Sequence, residues 1–409
     1  MRCKVYGANK TKAIALIVPD ISNFFFTAVI SGIESILKKY GYLLILIDSN
    51  ENLEIEKEQI RILNAKLAEE RIINILMMKA CQIIEPGIIK EIILDKQKML
   101  NPPQGWITIR VSASGICGTD LHIFLGEYIG DYPIIPGHEF SGDVVSIGDK
   151  VERFKVGDRV AVEPNLSCGI CDTCLHNRQH FCKNWQAIGV TLPGGMATHV
   201  MVPQQAAFTI GDLSFEEAAF MEPLSCVIHG VGLIESSLGA HILLVGTGPI
   251  GMLLLRTLKN MGSATLDIVE INENRRNFAA KEGLGQVFSD FSQVKKEYYD
   301  IVVDATGAIS VLEQCIAFVR PAGKILFFGV PPKGKVMTIE PFQLFRKELT
   351  ILSSYTSLRN SKQAIDLIST GRIVVKDLIS HRLLLNELKN GFHLLLDKKE
   401  PAMKVMIFP

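Results

Sequence analysis

Four cysteines, Cys168, Cys171, Cys174 and Cys182, stand in the segment CGICDTCLHNRQHFC at the spacing C-x2-C-x2-C-x7-C. Short loops between thiolates let one lobe of backbone wrap an ion with little strain, and Zn²⁺, with no d-electron preference, accepts a tetrahedral cage. Four protein ligands leave no open position, so an ion held there is expected to be structural. Disulfides are the competing use of clustered cysteines; a chain with nine cysteines and no export signal reads as cytoplasmic and reduced, which favours thiolates on a metal. A second donor set is spread more widely. Cys117 in GICGTDLH, His138 and Glu139 in PGHEFSG, and Glu222 in FMEPLSC offer sulfur, imidazole and oxygen. These suit a catalytic zinc, which keeps three protein ligands and one open position for water or substrate.

A third constellation points to a nucleotide. In LLVGTGPIG, Gly246, Gly248 and Gly251 fall in G-x-G-x-x-G order with Pro249 and Ile250 between them, after an apolar strand-like run and at the start of a helical one. The first glycine allows a tight turn, the second lets backbone approach a pyrophosphate, and the third lets helix and strand pack closely. Glu270 follows at the end of the next strand, where a carboxylate grips an adenosine ribose. A carboxylate there repels a 2′-phosphate and favours NAD over NADP, while Arg275 and Arg276 keep the phosphate form open.

The elements that must position these residues follow from the pattern. Residues 13–76 alternate strand and helix signals: AIALIV (13–18), an amphipathic run over 24–40, YLLILI (42–47), a helix over 51–70, and RIINIL (71–76). Such a βαβαβ order implies a parallel sheet. From 78 to about 224 the chain is strand-rich and punctuated by Gly and Pro, as in an irregular β domain. From His241 to about 354 apolar strands and helices alternate again: HILLVG, a helix over 249–261, TLDIVE, a helix over 274–281, DIVVDAT, a helix over 311–319, and KILFFGV. That order predicts a doubly wound nucleotide-binding sheet. A helix-strand tail is expected to return to the β domain.

Bulk properties exclude several classes. Lys+Arg and Asp+Glu both number 43, so no basic excess exists to hold nucleic acid or an anionic membrane. The apolar share is 48%, yet every apolar run is well short of the ~20 residues a bilayer crossing needs.

Two resemblances sharpen the reading. The order of GHE, the four-cysteine lobe, MEPLSC and VGTGPIG resembles the zinc-containing medium-chain dehydrogenases, most closely the polyol and secondary-alcohol branch with sorbitol, butanediol and threonine dehydrogenases. That resemblance spans 78–409 and implies an α/β protein: a β-rich GroES-like catalytic domain (78–224 with 355–409) and a Rossmann doubly wound parallel sheet (225–354). It carries Cys117 and His138 over as metal ligands, with Glu139 or Glu222 as the third, one catalytic and one structural zinc, NAD as cofactor, a small alcohol or polyol as substrate, and a homo-oligomer, tetramer or dimer. It implies a hydroxyl at Thr119 and an imidazole at His122 as a proton relay, imidazole being the side-chain type most used as a general base. Alternatives within and beyond this reading are a zinc-free NADP-dependent reductase of the same fold and a sugar-responsive regulator acting through residues 1–76. The second resemblance supplies that last alternative, because KAIALIVPDISNFFFTAVISGIESILKKYGYLLILIDSN and the residues after it look like the opening of the sugar-binding domain of lactose-repressor-family regulators. Neither the preceding helix-turn-helix nor the second lobe of that domain follows this pattern, so residues 1–77 are expected to be a truncated remnant. One departure touches substrate choice. Sorbitol dehydrogenases place an aromatic-Arg-aromatic stretch where this chain has Tyr355-Thr356-Ser357.

Overall fold

The computed structural model describes residues 13–18, 30, 33, 43–48, 72–74 and 78–409, apart from 128–130, 236 and 398–401. The chain divides into two units, Met1–Met78 and Lys79–Pro409.

In the first unit, strands Leu43–Asp48, Ala13–Val18 and Ile72–Asn74 lie side by side in that order, all parallel, with Ala13 opposite Leu43 and Ala15 opposite Ile72. Parallel pairing is what strand-helix alternation demands, since parallel neighbours need a crossover. The helices expected over 24–40 and 51–70, apart from helical positions 30 and 33, and Cys3 lie outside the described residues.

The second unit opens with a hairpin, Lys79–Glu85 on Ile88–Ile93, and then builds a seven-stranded sheet. Its order is Ala207–Thr209, Arg159–Val162, Glu139–Ile147, Trp106–Gly115, Lys404–Phe408 and Ile379–Leu384, with His199–Pro203 also paired to Trp106–Gly115. Ile107, Ile109, Val111, Phe140, Val144, Val160 and Val162 fill one core beneath it. The strand Lys404–Phe408 thus returns to the interior of this seven-stranded sheet, pairing Met406 with Gly115. That return brings position 404 beside the site described below.

Six parallel strands make the other large sheet: Val287–Phe288, Thr265–Val269, His241–Val245, Tyr299–Asp304, Val319–Phe327 and Thr350–Ser353. Ile242, Leu243 and Leu244 are consecutive and all fully buried, as expected where helices cover both faces of a parallel sheet. The fifth strand begins earlier than the apolar run KILFFGV suggests. Its first half, around Pro321 and Gly323, is irregular, and the pairing register shifts between Tyr299 and Ile301; Pro and Gly there hide a strand from propensity reading. The helix expected over 311–319 is Ile309–Cys315. Helix Met221–Gly232 runs without interruption through positions 224 and 225. Among the described residues no helix is long and apolar enough to cross a membrane.

Candidate active site and metal centres

Two neighbouring antiparallel strands end at one place. Gly115, at the end of Trp106–Gly115, pairs with Glu139, at the start of Glu139–Ile147. Two residues past Gly115, Cys117 caps helix Gly118–Leu125, and His138 immediately precedes Glu139. Donor atoms of Cys117, His138 and Glu139 consequently lie within 4.8 Å of one another. His138 and Glu139 are buried.

Asp120 ties the two segments together. Its Oδ2 accepts from the Cys117 backbone N–H at 2.8 Å and its Oδ1 from the Gly137 N–H at 3.0 Å. His138 Nδ1 sits 3.4 Å from the same Oδ1, in electrostatic contact but outside hydrogen-bond geometry. Metal-bound histidines commonly turn their other nitrogen to a carboxylate in this way. Burial by itself depresses the His138 imidazole, yet Asp120 and Cys117 outweigh it and hold the group well above its ordinary value. A buried pocket that favours positive charge this strongly, and offers sulfur, imidazole and carboxylate together, fits a zinc ion with an open position.

Glu222 stands apart. It lies in the first turn of Met221–Gly232, buried, with its carboxyl pushed up to about 7 by desolvation, to which Glu139 and Glu163 add while His138 opposes. Cys226, one turn on, donates its thiol to Glu222 Oε1 at 3.4 Å. Of the two glutamates, Glu139 belongs to the three-donor cluster and Glu222 does not.

Cys168, Cys171, Cys174 and Cys182 form the second cluster. Sulfur separations are 3.4 Å for Cys171–Cys174, 3.8 Å for Cys171–Cys182 and 3.5 Å for Cys168–Cys182. A tetrahedron with Zn–S of about 2.3 Å has edges of about 3.8 Å, whereas a disulfide needs about 2.05 Å. All four thiols are free, and Cys171 is drawn below the usual thiol range by the Thr173 hydroxyl and by backbone N–H groups. The cage fits a thiolate-bound zinc.

A groove of about 840 Å³ runs along the parallel sheet, lined by Gly246, Gly248, Glu270, Arg275 and Thr306 among others. Gly246 has φ +90, and a Cβ on Gly251 would overlap the Gly246 carbonyl oxygen, so turn and helix meet only through glycine. Gly248 caps helix Pro249–Asn260, with Pro249 in the first turn where its missing N–H costs nothing. Ile250 packs on the core instead of facing the groove. Glu270 is nearly buried: Oε2 accepts from the Thr247 backbone N–H (2.7 Å) and hydroxyl (3.1 Å), and Oε1 from the Asn272 N–H (2.8 Å). It braces the loop it lines. Arg275 lies beside Gly248 and donates to the Ala402 carbonyl at 3.3 Å, while Arg276 caps the Glu270 and Ile271 carbonyls.

Thr119 and His122 both fall on Gly118–Leu125. Thr119 Oγ1 is 3.9 Å from Cys117 Sγ; His122 Nδ1 bonds Glu127 Oε2 at 2.8 Å at the surface. Sequence reasoning passed over Asp120, Glu163 and Lys404. Asp120 was visible inside GTD, but the other two become neighbours of the site only through folding.

Residues 103–212 match the alcohol dehydrogenase GroES-like domain, and 249–370 match the zinc-binding dehydrogenase domain. D-altritol 5-dehydrogenase of Agrobacterium fabrum is 38% identical over 319 residues, covering 76% of this chain and 94% of that one. Among solved structures, a zinc-binding dehydrogenase from Sinorhizobium meliloti 1021 bound to NADP superposes with TM-score 0.75 at 31% identity, over 81% of this chain and 99% of the other. An alcohol dehydrogenase from Escherichia coli CFT073 complexed with NADH gives TM-score 0.75 at 26% identity, with the same coverage. Two domain matches in the order the fold requires, on a chain that carries both thiol-containing clusters, place this protein in the zinc-binding alcohol dehydrogenase family.

Proposed function

We propose that this chain oxidises a secondary hydroxyl of a small polyol or diol to the ketone, passing the hydride to NAD. The observation that carries the reading is the buried meeting of Cys117, His138 and Glu139. A relative that is a D-altritol dehydrogenase supports the substrate class. In this reading residues 78–224 with 355–409 form the catalytic domain, 225–354 the nucleotide-binding domain and 1–77 a separate fragment, and the assembly is a homo-oligomer, dimer or tetramer.

Cys117, His138 and Glu139 would hold the catalytic zinc and the four clustered cysteines the structural one. Bound there, the catalytic ion supplies Lewis acidity toward the substrate oxygen. Asp120 fixes Cys117 and His138 in one geometry by clamping both ligand-bearing segments. Glu222, whose carboxyl lies at about 7, holds or releases a proton near neutrality beside the cluster. Thr119 Oγ1 offers a hydroxyl at the cluster's edge for passing the substrate proton outward. His122, with Nδ1–H donated to Glu127, leaves Nε2 to accept a proton at the surface. Gly248 and the helix behind it present backbone N–H groups to a pyrophosphate, and the Glu270 carboxylate disfavours a 2′-phosphate.

The test is a panel of polyols, diols and threonine with NAD and with NADP, read at the absorbance of the reduced nicotinamide, together with zinc per chain. Two zinc ions, NAD preference, and loss of turnover in Cys117→Ser and His138→Ala are expected. Full turnover in either variant refutes the catalytic site; NADP preference refutes the role of Glu270.

A further inference from the structure

Lys404 opens the strand Lys404–Phe408 and is buried, 4% exposed, with its ammonium against a carboxylate that is 1% exposed. Its Nζ donates to Glu139 Oε2 at 2.6 Å, to Glu139 Oε1 at 2.8 Å and to the Ile116 carbonyl at 3.3 Å. All three ammonium protons therefore have acceptors, and both carboxylate oxygens are engaged. The Phe220 ring face lies 5.8 Å from the same nitrogen. Space for the pair is left by Gly115: a Cβ there would overlap Glu139 Oε2 and lie 3.4 Å from Lys404 Cδ. Gly115 ends a central strand of the sheet and is not among the positive-φ glycines, so its lack of a side chain answers to volume and not to backbone conformation. Residues from three distant stretches, 115, 139 and 404, thus converge on one carboxylate.

A carboxylate at the metal cluster, buried away from bulk solvent, takes its orientation from whatever donor pins it. Bidentate contact with Lys404 fixes the plane of the Glu139 carboxyl relative to Cys117 and His138, and each oxygen keeps a second lone pair. Among the described residues Glu222 has no such cation in hydrogen-bond contact; its carboxyl accepts from the Cys226 thiol. We propose that Lys404 is a positioning residue for the metal: it holds Glu139 as the standing third donor in preference to Glu222, and Gly115 provides the clearance this needs. The inference rests on the reading that Cys117, His138 and Glu139 bind zinc.

Zinc per chain and the rate of zinc transfer to excess chromogenic chelator test it on the full-length protein, without recourse to turnover. Wild-type protein is expected to release two ions in two phases. Lys404→Met should speed one phase by about 10–100-fold, the range for partners of metal ligands, and leave the other unchanged; Lys404→Arg should restore most of the slow release. If Lys404→Met does not fold because an unpaired carboxylate is left buried, Lys404→Met with Glu139→Gln removes both charges, and that folded double variant should retain only the four-cysteine ion. Wild-type release from Lys404→Met overturns the role of Lys404; retention of the second ion by the double variant overturns Glu139 as its third donor, and the inference with it. A wild-type protein holding one zinc overturns both the inference and the reading beneath it, which separates the two failures.

Discussion

Replacing Asp120 by Asn removes one charge and one acceptor from a carboxylate that is fully buried and clamps both ligand-bearing segments. The Asn amide has one oxygen for two backbone donors, the N–H groups of Cys117 and Gly137, and its NH₂ must face the other donor or His138 Nδ1. One charge-assisted bond, worth about 1.5–3 kcal/mol, is lost, and the survivor falls to neutral strength, a further ~1 kcal/mol. The total is about 3 kcal/mol. If the loss appears wholly in the geometry of Cys117 and His138, 1.4 kcal/mol per decade makes zinc retention about 100-fold weaker. Partners of metal-bound histidines cost about 10–100-fold by an independent route, so the two estimates agree. Chelator-driven release from zinc-loaded protein is the assay: Asp120→Asn should accelerate one of two phases, and Asp120→Ala, which leaves both N–H groups unpaired, should accelerate it further. Wild-type rates in both phases for Asp120→Asn would show that the clamp contributes nothing to the site.

Other expectations follow from single contacts. Gly251→Ala forces backbone against backbone at the Gly246 carbonyl and should weaken NAD binding at least ~10-fold by titration calorimetry, while Gly232→Ala, with nothing within 4 Å of its Cβ, should leave it unchanged; equal affinities would remove the close-packing argument. Cys171→Ser should cost one zinc per chain and open the 168–182 lobe to protease while NAD affinity stays within about twofold, because a structural zinc stabilises its own lobe; two retained zincs would contradict this. Burial pulls the His199 imidazole down to about 4, with Arg110 and Lys96 adding to it. The folded chain therefore stays neutral there while the unfolded chain protonates near 6.5, so this contribution is present above pH 6.5 and is lost as pH falls toward 4. Between pH 7 and 5 wild-type protein should lose about 2 kcal/mol more stability than His199→Gln in urea unfolding; parallel losses would refute the assignment.

What the sequence exposes about this molecule depends on sequence distance. The four thiolates span fifteen positions and the glycine triplet six, so their spacing alone reports the geometry, and the structure places each group together. Cys117 and His138 are 21 apart, and their meeting required the motif order in addition to residue type. Lys404 lies 265 positions from Glu139 and Glu163 lies 194 from Ser357, and no local pattern announces either pair. Local rules also misplace element ends: Pro321 and Gly323 mask the start of a strand that tertiary pairing nonetheless recruits. The position of Glu270 after its strand points to a ribose ligand, but spacing cannot show that its oxygens also brace Thr247 and Asn272.

The departure at Tyr355-Thr356-Ser357 has a physical counterpart in Glu163. Oε2 of Glu163 accepts from Ser357 Oγ at 2.8 Å and Ser361 Oγ at 2.7 Å, while Oε1 accepts from the Asn165 backbone N–H and side-chain amide at 3.1 and 2.7 Å. Asn165 in turn accepts from Trp185 Nε1 at 3.1 Å. Four neutral donors satisfy the carboxylate and tie the segment after the parallel sheet to the β-rich part. Ser357 is 4% exposed, and its hydroxyl is committed to this anchor. It is therefore unavailable to a substrate hydroxyl, and the segment holds its position without a guanidinium. Because Glu163 also raises the Glu222 carboxyl, the same anchor bears on the proton-holding group beside the cluster.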